Sequence, residues 1–125
     1  MKALSIKQPW LWAITDLDKR IENRTWNPPL KIIGQHIALH ASKKDDPEGG
    51  RAMVYLARRL PPADAPRGAI VATAKVVAVA TRDNETIAAD NQYYNDKWFV
   101  GPIGWILEDV QKLEEPIRTG DSRHL

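Results

Sequence analysis

Prolines and glycines divide this chain into short segments, and their spacing limits the fold more than any other feature. Nine prolines and seven glycines are spread over 125 residues. Proline cannot donate to a β-ladder and breaks the interior of a helix, so regular elements end close to each one. The pairs at 28–29 and 61–62 and the clusters at 66–68 and 101–104 therefore mark turns between short elements.

Between these turns, the hydrophobic pattern predicts five strands and two helices. Alternation and β-branched residues predict strands, whereas apolar residues at spacings of three and four predict helices. The predicted helices cover residues 10–17 and 53–60, and residues 84–94 form a polar loop. The predicted strands cover residues 2–6, 20–26, 36–41, 69–81 and 105–110. This order favours one α+β domain over residues 1–125, built on a curled sheet or barrel.

Composition excludes several classes of protein. No run of 18 apolar residues is present, so we expect no membrane-spanning segment. The first residues contain no long apolar stretch, which argues against a secretory signal. The chain has no cysteine, so disulfides and thiolate chemistry are excluded, and a reducing, cytoplasmic compartment is expected.

Positive charge is concentrated in the first third of the chain. Residues 1–44 contain eight Lys or Arg against three Asp or Glu, although the whole chain has a net charge of only +2. A localised cationic surface favours anionic partners such as nucleic acid or nucleotides. Trp10, Trp12 and Trp26 lie in the same region, and rings interleaved with cations are typical of single-stranded nucleic acid binding. Three of the five tryptophans are expected to be core residues instead.

The segment from Lys19 to Arg24 is the strongest candidate for a site. In an extended strand Glu22 and Arg24 point to the same side, and Lys19 enters from the preceding turn. A carboxylate between two cations stays ionised and can orient a lysine. The alternative is a solvated, charged strand with an ordinary surface ion pair.

Metal and nucleophile signatures are absent from the sequence. His36 and His40 are four residues apart, but on a strand this spacing corresponds to roughly 13 Å, too far for one ion. No segment matches a phosphate-binding loop or a nucleophile elbow. We therefore expect neither a metal nor a cofactor.

Four ordered stretches resemble the ASCH (activating signal cointegrator homology) domain family. They are residues 3–10, the motif Lys19-x-x-Glu22-x-Arg24, residues 40–43 and residues 101–105. The resemblance implies a small PUA-like β-barrel with two or more helices closing a cleft. It also implies RNA binding, with Lys19, Glu22 and Arg24 lining that cleft.

Some members of the family are hydrolases, which leaves a second function open. The resemblance implies ribonuclease activity in some relatives and, in one branch, removal of acetyl groups from acetylated cytidine by a Lys, a Thr and a Glu. This chain has Leu17 where the family motif begins with Gly, and Glu22 where that branch has Thr. A carboxylate cannot replace a hydroxyl nucleophile without a different mechanism.

The leading hypothesis is therefore an RNA- or nucleotide-binding module. Its expected binding residues, which would hold phosphate, stack a base or read a base edge, are Lys7, Gln8, Trp10, Arg24, Trp26, Ser42 and Lys43. The alternative is a small amidohydrolase or ribonuclease in which Lys19 is a general base or stabilises an oxyanion and Glu22 orients it. A third hypothesis is a protein-interaction domain whose charged cluster is structural.

Overall fold

One mixed sheet and two short helices make up the computed structural model, which describes residues 1–82, 93 and 95–119. A 3-10 turn at Leu30–Ile32 precedes the third strand. The predicted polar loop at 84–94 lies outside the described residues apart from Tyr93. In chain order the elements are β1 (Ala3–Ile6), α1 (Trp10–Asp16), β2 (Ile21–Arg24), β3 (His36–Ala41), α2 (Gly49–Ala57), β4 (Ala69–Thr81) and β5 (Ile103–Arg118).

The five described strands follow the spatial order β1-β3-β4-β5-β2. Strands β1 and β3 are parallel, and the other neighbouring pairs are antiparallel. Strands β1 and β2 therefore lie at the two ends of the sheet, and within the described residues no ladder joins them. The α+β prediction is confirmed, whereas the sheet is not closed into the barrel that the resemblance implies.

Strand β5 is much longer than the sequence predicted. It continues past Pro116 to Arg118, although proline was expected to end it. The register with β4 changes from Ala72↔Lys112 to Ile70↔Ile117, so residues 113–116 bulge out of the ladder. Because Pro116 lies in this bulge, its missing N–H removes no ladder hydrogen bond, and the strand can continue.

The two helices differ in how well their predicted ends agree with the structure. Helix α1 ends one residue before the predicted Leu17. Helix α2 ends at Ala57, and Arg58 adopts a left-handed backbone with φ of 53°. Leu60, which was predicted on the apolar face, is exposed because the residue before Pro61 is disfavoured in a helix. Within the described residues, neither helix is long and apolar enough to cross a membrane.

The alternation of side chains along β1 and β3 separates a core from a pocket. Leu4, Ile6 and Leu39 pack into a buried cluster with residues of α1, β4 and β5. Each such side chain contributes about 1.5–3 kcal/mol when it is fully buried. Ser5 and His40, which are register partners, point to the opposite side of the two strands. That side faces the open gap between β1 and β2.

Candidate functional site

A pocket of about 540 Å³ lies between the two ends of the sheet. Its volume is within the range of about 300–1,000 Å³ that is usual for small-molecule sites. Strand β1 and the residue after it contribute Ser5 and Lys7, and β2 contributes Glu22 and Arg24. The predicted charged segment therefore lies in a concave site and not on a solvated strand face.

A tight turn after α1 brings Lys19 into this pocket. Asp18 adopts a left-handed backbone with φ of 59°, and the Lys19 amide donates to the carbonyl of Ala13 at 3.1 Å. Arg20 fixes the other side of the turn by donating from Nη1 to the Ile14 carbonyl at 2.7 Å. As a result the Lys19 side chain is only 2% exposed, although lysine is one of the residues least often buried.

Glu22 lies between two cations inside the pocket. Lys19 Nζ donates to Glu22 Oε1 at 3.1 Å and also to the backbone carbonyl of Ile21. The other carboxylate oxygen, Oε2, lies 3.1 Å from Arg24 Nη2. Both carboxylate oxygens are thus used, and the three side chains together carry one net positive charge. This cluster suits a ligand that presents acceptor oxygens or negative charge.

Arg24 also connects β2 to β1 across the gap. Its Nη2 donates to the backbone carbonyl of Ser5. Its Nε is buried and has no hydrogen-bond partner in the part of the chain that the structure describes. A buried donor without a partner costs about 1–3 kcal/mol, so an acceptor on a bound ligand would be favourable here.

Aromatic side chains form the opposite wall of the pocket. The Trp10 ring centroid lies 5.9 Å from Lys19 Nζ, and Trp10 Nε1 donates to Asp46 Oδ2 at 2.8 Å. Trp98, from the segment before β5, and Leu56 of α2 complete this wall. Ring faces held in fixed orientations next to cations are able to stack a planar ligand.

Asn23 holds the segment that carries Trp98, a role that sequence reasoning missed. Its Nδ2 donates to the Trp98 carbonyl at 2.9 Å. Its Oδ1 accepts from the amides of Val100 and Gly101, both at 2.9 Å. The only sequence signal for this role is the place of Asn23 inside the Lys19–Arg24 motif.

The structure brings six of the nine predicted site residues to the pocket and leaves three outside it. Ser42 directly follows β3 and lines the pocket, whereas Lys43 is exposed and does not line it. The residues that line the pocket are Lys7, Trp10, Lys19, Glu22, Arg24 and Ser42.

Gln8 and Trp26 have other roles in the fold. Gln8 is buried, with its amide donating to the Pro66 carbonyl at 2.9 Å and accepting from the Trp12 amide at 2.8 Å. Trp26 is partly exposed on the far side of β2, and its ring meets Trp105 edge-on at 4.8 Å. Trp26 also accepts a hydrogen bond at its carbonyl from Trp105 Nε1.

The two histidines of β3 have different hydrogen-bond partners in different parts of the fold, in agreement with their separation along the strand. His40 lies beneath Ser5, with Nδ1 3.0 Å from Ser5 Oγ and Nε2 2.8 Å from Thr119 Oγ1. His36 is on the surface with Nε2 2.7 Å from Asp109 Oδ2. This hydrogen bond holds the pKa of the Asp109 carboxyl below its usual value. The hydrogen bond between His40 and Ser5, by contrast, orients a hydroxyl group that lines the pocket.

Comparison with known proteins agrees with the motifs. No curated protein matches the chain significantly. The family model described as the ASCH domain matches residues 4–117, which include every pocket residue discussed above. That match covers nearly the whole chain, so the protein belongs to the ASCH domain family.

Proposed function

We propose that this protein binds RNA, and that one nucleotide of the RNA enters the pocket between β1 and β2. The observation that carries the proposal is the combination, in one concave site, of a net positive cluster and fixed aromatic rings. Membership of the ASCH family, which is PUA-like, is consistent with RNA binding.

In this proposal the aromatic wall stacks the base, and the cations hold the phosphate. Trp10 is partly exposed and offers a ring surface, whereas Trp98 lines the pocket but is only 5% exposed. Stacking of a base on an aromatic side chain is worth about 1–3 kcal/mol. Lys7 is exposed and lines the pocket, and its side chain makes no hydrogen bond or ion pair with the described residues, so it is available to a phosphate. Lys43 follows Ser42 in the sequence and is an exposed cation outside the pocket.

The inner end of the pocket selects for acceptor atoms. An ammonium has three donors, and two of those on Lys19 go to Ile21 and Glu22. The third donor is left for the ligand, whereas the unpartnered Nε of Arg24 is buried and would reach an acceptor only after a rearrangement of the pocket wall. A carbonyl oxygen of a base or a phosphate oxygen would satisfy the third donor of Lys19, whereas an alkyl group would leave it desolvated.

We infer that this domain forms the PUA-like barrel implied by the family, and that the barrel is closed at the gap between β1 and β2 by side-chain contacts instead of a ladder. Arg24 supports this because it donates to the Ser5 carbonyl, in the way that a neighbouring strand would. A barrel closed in this way keeps a ligand entrance between two of its strands.

Titration of labelled single-stranded RNA at several salt concentrations tests the binding function. Lys7→Ala should weaken binding and reduce the slope of log K against log salt by about 0.7, the value for one phosphate contact on a single strand. Lys31→Ala is the matched control, since Lys31 is an exposed lysine outside the pocket. Equal effects of the two substitutions, or no salt-sensitive binding at all, would reject the proposal.

A second candidate function is hydrolysis of an acylated nucleoside or of RNA in the same pocket. The observation that favours it is the buried Lys19, hydrogen-bonded to a carboxylate within a ligand-sized pocket. Lys19 would stabilise a developing oxyanion, and Glu22 would hold it in place or orient a water.

Incubation with acetylated cytidine and with RNA tests hydrolysis. Glu22→Gln and Lys19→Met should each abolish turnover if these residues act as proposed. Turnover that persists in folded variants would remove them from the mechanism. A protein-interaction domain, the third hypothesis, predicts neither turnover nor RNA binding.

A further inference from the structure

The arginines that the structure describes fall into two groups. Most of those with described contacts donate side-chain hydrogen bonds within the fold, as Arg20, Arg24, Arg67 and Arg118 do. Arg51, Arg58 and Arg59 differ, because in the described part of the chain their guanidinium groups make no hydrogen bond or ion pair. Arg59 only lies over the Trp12 ring, at 5.9 Å from its centroid.

These three arginines lie close to an exposed tyrosine in the sequence. Tyr55 of α2 is 86% exposed, which is high for an aromatic side chain. It lies four residues after Arg51, hence on the same face of the helix, and Arg58 and Arg59 follow the end of the helix. The sequence has no acidic residue between positions 49 and 63. We call the group of Arg51, Tyr55, Arg58 and Arg59 the α2 patch.

The α2 patch begins where the wall of the pocket ends. Leu56, the neighbour of Tyr55, lines the pocket. Trp12, which carries Arg59 over its ring, packs in the same apolar cluster as Trp98 and Leu56. Through Trp12, Arg59 therefore lies next to the apolar side chains of the pocket wall, and a strand leaving the pocket on this side would reach the α2 patch.

We propose that the α2 patch is a second subsite, which binds the single-stranded RNA that continues from the nucleotide in the pocket. This inference rests on the function proposed above and adds that the ligand is a strand of several nucleotides. Three unpaired guanidinium groups complement consecutive phosphates, and guanidinium is the side-chain group best matched to phosphate geometry. An exposed tyrosine between them provides a stacking surface for a base.

A strand explains the patch better than a mononucleotide does. A single nucleotide held by Lys19, Glu22 and Arg24 inside the pocket has no phosphate left to reach the outer face of α2. The patch should therefore affect binding of an oligonucleotide and leave binding of a mononucleotide unchanged. Comparing oligonucleotide with mononucleotide binding therefore tests the α2 patch separately from the pocket.

The experiment compares two probes on four proteins. The probes are a labelled ten-nucleotide single-stranded RNA and a nucleoside monophosphate. The proteins are the wild type, the triple variant Arg51→Gln/Arg58→Gln/Arg59→Gln, the variant Tyr55→Ala, and a matched control for the charge, Lys2→Gln/Lys31→Gln/Lys75→Gln. Circular dichroism verifies that each is folded.

We expect the triple arginine variant to bind the oligonucleotide at least about tenfold more weakly at moderate salt, with the salt slope reduced by about two. Tyr55→Ala should weaken it by about tenfold at any salt, because stacking is not screened. Neither change should alter the mononucleotide affinity, and the lysine control should have a much smaller effect. DNA of the same sequence shows whether the strand must be RNA.

Three outcomes would overturn the inference. In the first, the arginine and lysine triple variants weaken the oligonucleotide equally, which indicates diffuse charge only. In the second, the wild type binds the oligonucleotide no better than the mononucleotide. In the third, the α2 variants lose binding to phosphatidylserine vesicles but not to RNA. Mononucleotide binding that persists in these cases would leave the pocket proposal intact. Oligonucleotide binding without mononucleotide binding would reject the pocket proposal and, with it, a subsite that continues from the pocket.

Discussion

Arg24 on β2 donates a hydrogen bond from Nη2 to the backbone carbonyl of Ser5 on β1. These strands are the two ends of the sheet, and no ladder joins them within the described residues. The same nitrogen lies 3.1 Å from Glu22 Oε2. One guanidinium group therefore links the end of the sheet to the charged cluster, so the shape of the pocket and its electrostatics depend on the same side chain.

Replacing Arg24 with lysine should separate charge from geometry. Lysine keeps the positive charge but is a point charge, so it cannot serve Ser5 and Glu22 with the fixed geometry of a guanidinium. We expect a loss of about 1–3 kcal/mol in the free energy of unfolding, measured by urea denaturation. Arg51→Lys is the matched control and should change it by less than about 0.5 kcal/mol. Similar values for the two variants would contradict the bridging role of Arg24.

Replacing Glu22 with glutamine should destabilise the fold strongly. The change removes the carboxylate that lies between Lys19 and Arg24 and leaves the nearly fully buried lysine without its charged partner. Breaking a buried pair in this way costs about 3–5 kcal/mol. Asp18→Asn, which removes an exposed partner of Arg20, should cost less than about 1 kcal/mol. A loss below about 1 kcal/mol for Glu22→Gln would show that the cluster is not coupled to stability.

Asn23→Ala should loosen the segment that carries Trp98. The substitution removes the side-chain hydrogen bonds to the carbonyl of Trp98 and to the amides of Val100 and Gly101. Hydrogen exchange of the Val100 and Gly101 amides should become at least about tenfold faster, since each lost bond is worth about 1 kcal/mol or more. Ligand affinity should also fall, because the loosened segment carries Trp98, which lines the pocket. Unchanged exchange would mean that other contacts hold this segment.

Trp10 and Trp26 provide a matched pair for the stacking hypothesis. Trp10 lines the pocket, whereas Trp26 packs against Trp105 outside it. Trp10→Ala should weaken nucleotide binding by about 1–3 kcal/mol. Trp26→Ala should lower stability through the lost ring contact and leave affinity unchanged. Loss of affinity in Trp26→Ala alone would place the binding site elsewhere.

The ion pair between Asp45 and Arg67 gives stability a small dependence on pH. Arg67 donates to the two carboxylate oxygens at 2.6 and 2.7 Å, and the hydrogen bonding holds the pKa of Asp45 below its usual value. With a pKa lower in the folded state, the contribution is complete above the unfolded value of about 3.9 and disappears as the pH falls through the folded value.

Asp45→Asn tests this dependence. Because the pair is substantially exposed, the substitution should cost less than about 1 kcal/mol at pH 7. The difference from the wild type, measured by urea denaturation, should shrink as the pH falls below the unfolded value of about 3.9. A difference that is constant over this range would show that the pair does not cause it.

The sequence predicted the strands with the clearest alternation and turn signals. The bounds of β3 and β4 agree with the predicted 36–41 and 69–81, because both segments are apolar and bounded by turn residues. The end of β5 was missed because no local pattern reveals a bulge that accommodates Pro116. The order of the strands also depends on long-range pairing, which periodicity does not encode.

The candidate site was also predicted only in part, because local patterns reveal neighbours on one strand but not contacts between distant segments. Glu22 and Arg24 are two residues apart on one strand, so their proximity could be deduced from alternation. The role of Asn23 could not, because its partners, Trp98 to Gly101, lie more than seventy residues later in the chain. The outward position of Trp26 depends on packing against Trp105, which is equally distant in sequence.

The most direct test of the account is an NMR titration of the labelled protein with single nucleoside monophosphates, followed through backbone and tryptophan side-chain signals. The account predicts saturable shifts at Lys7, Glu22, Asn23 and Ser42 and at the indole of Trp10, with little change at Trp26. Shifts that are absent at millimolar nucleotide, or that cluster away from the gap between β1 and β2, would contradict it.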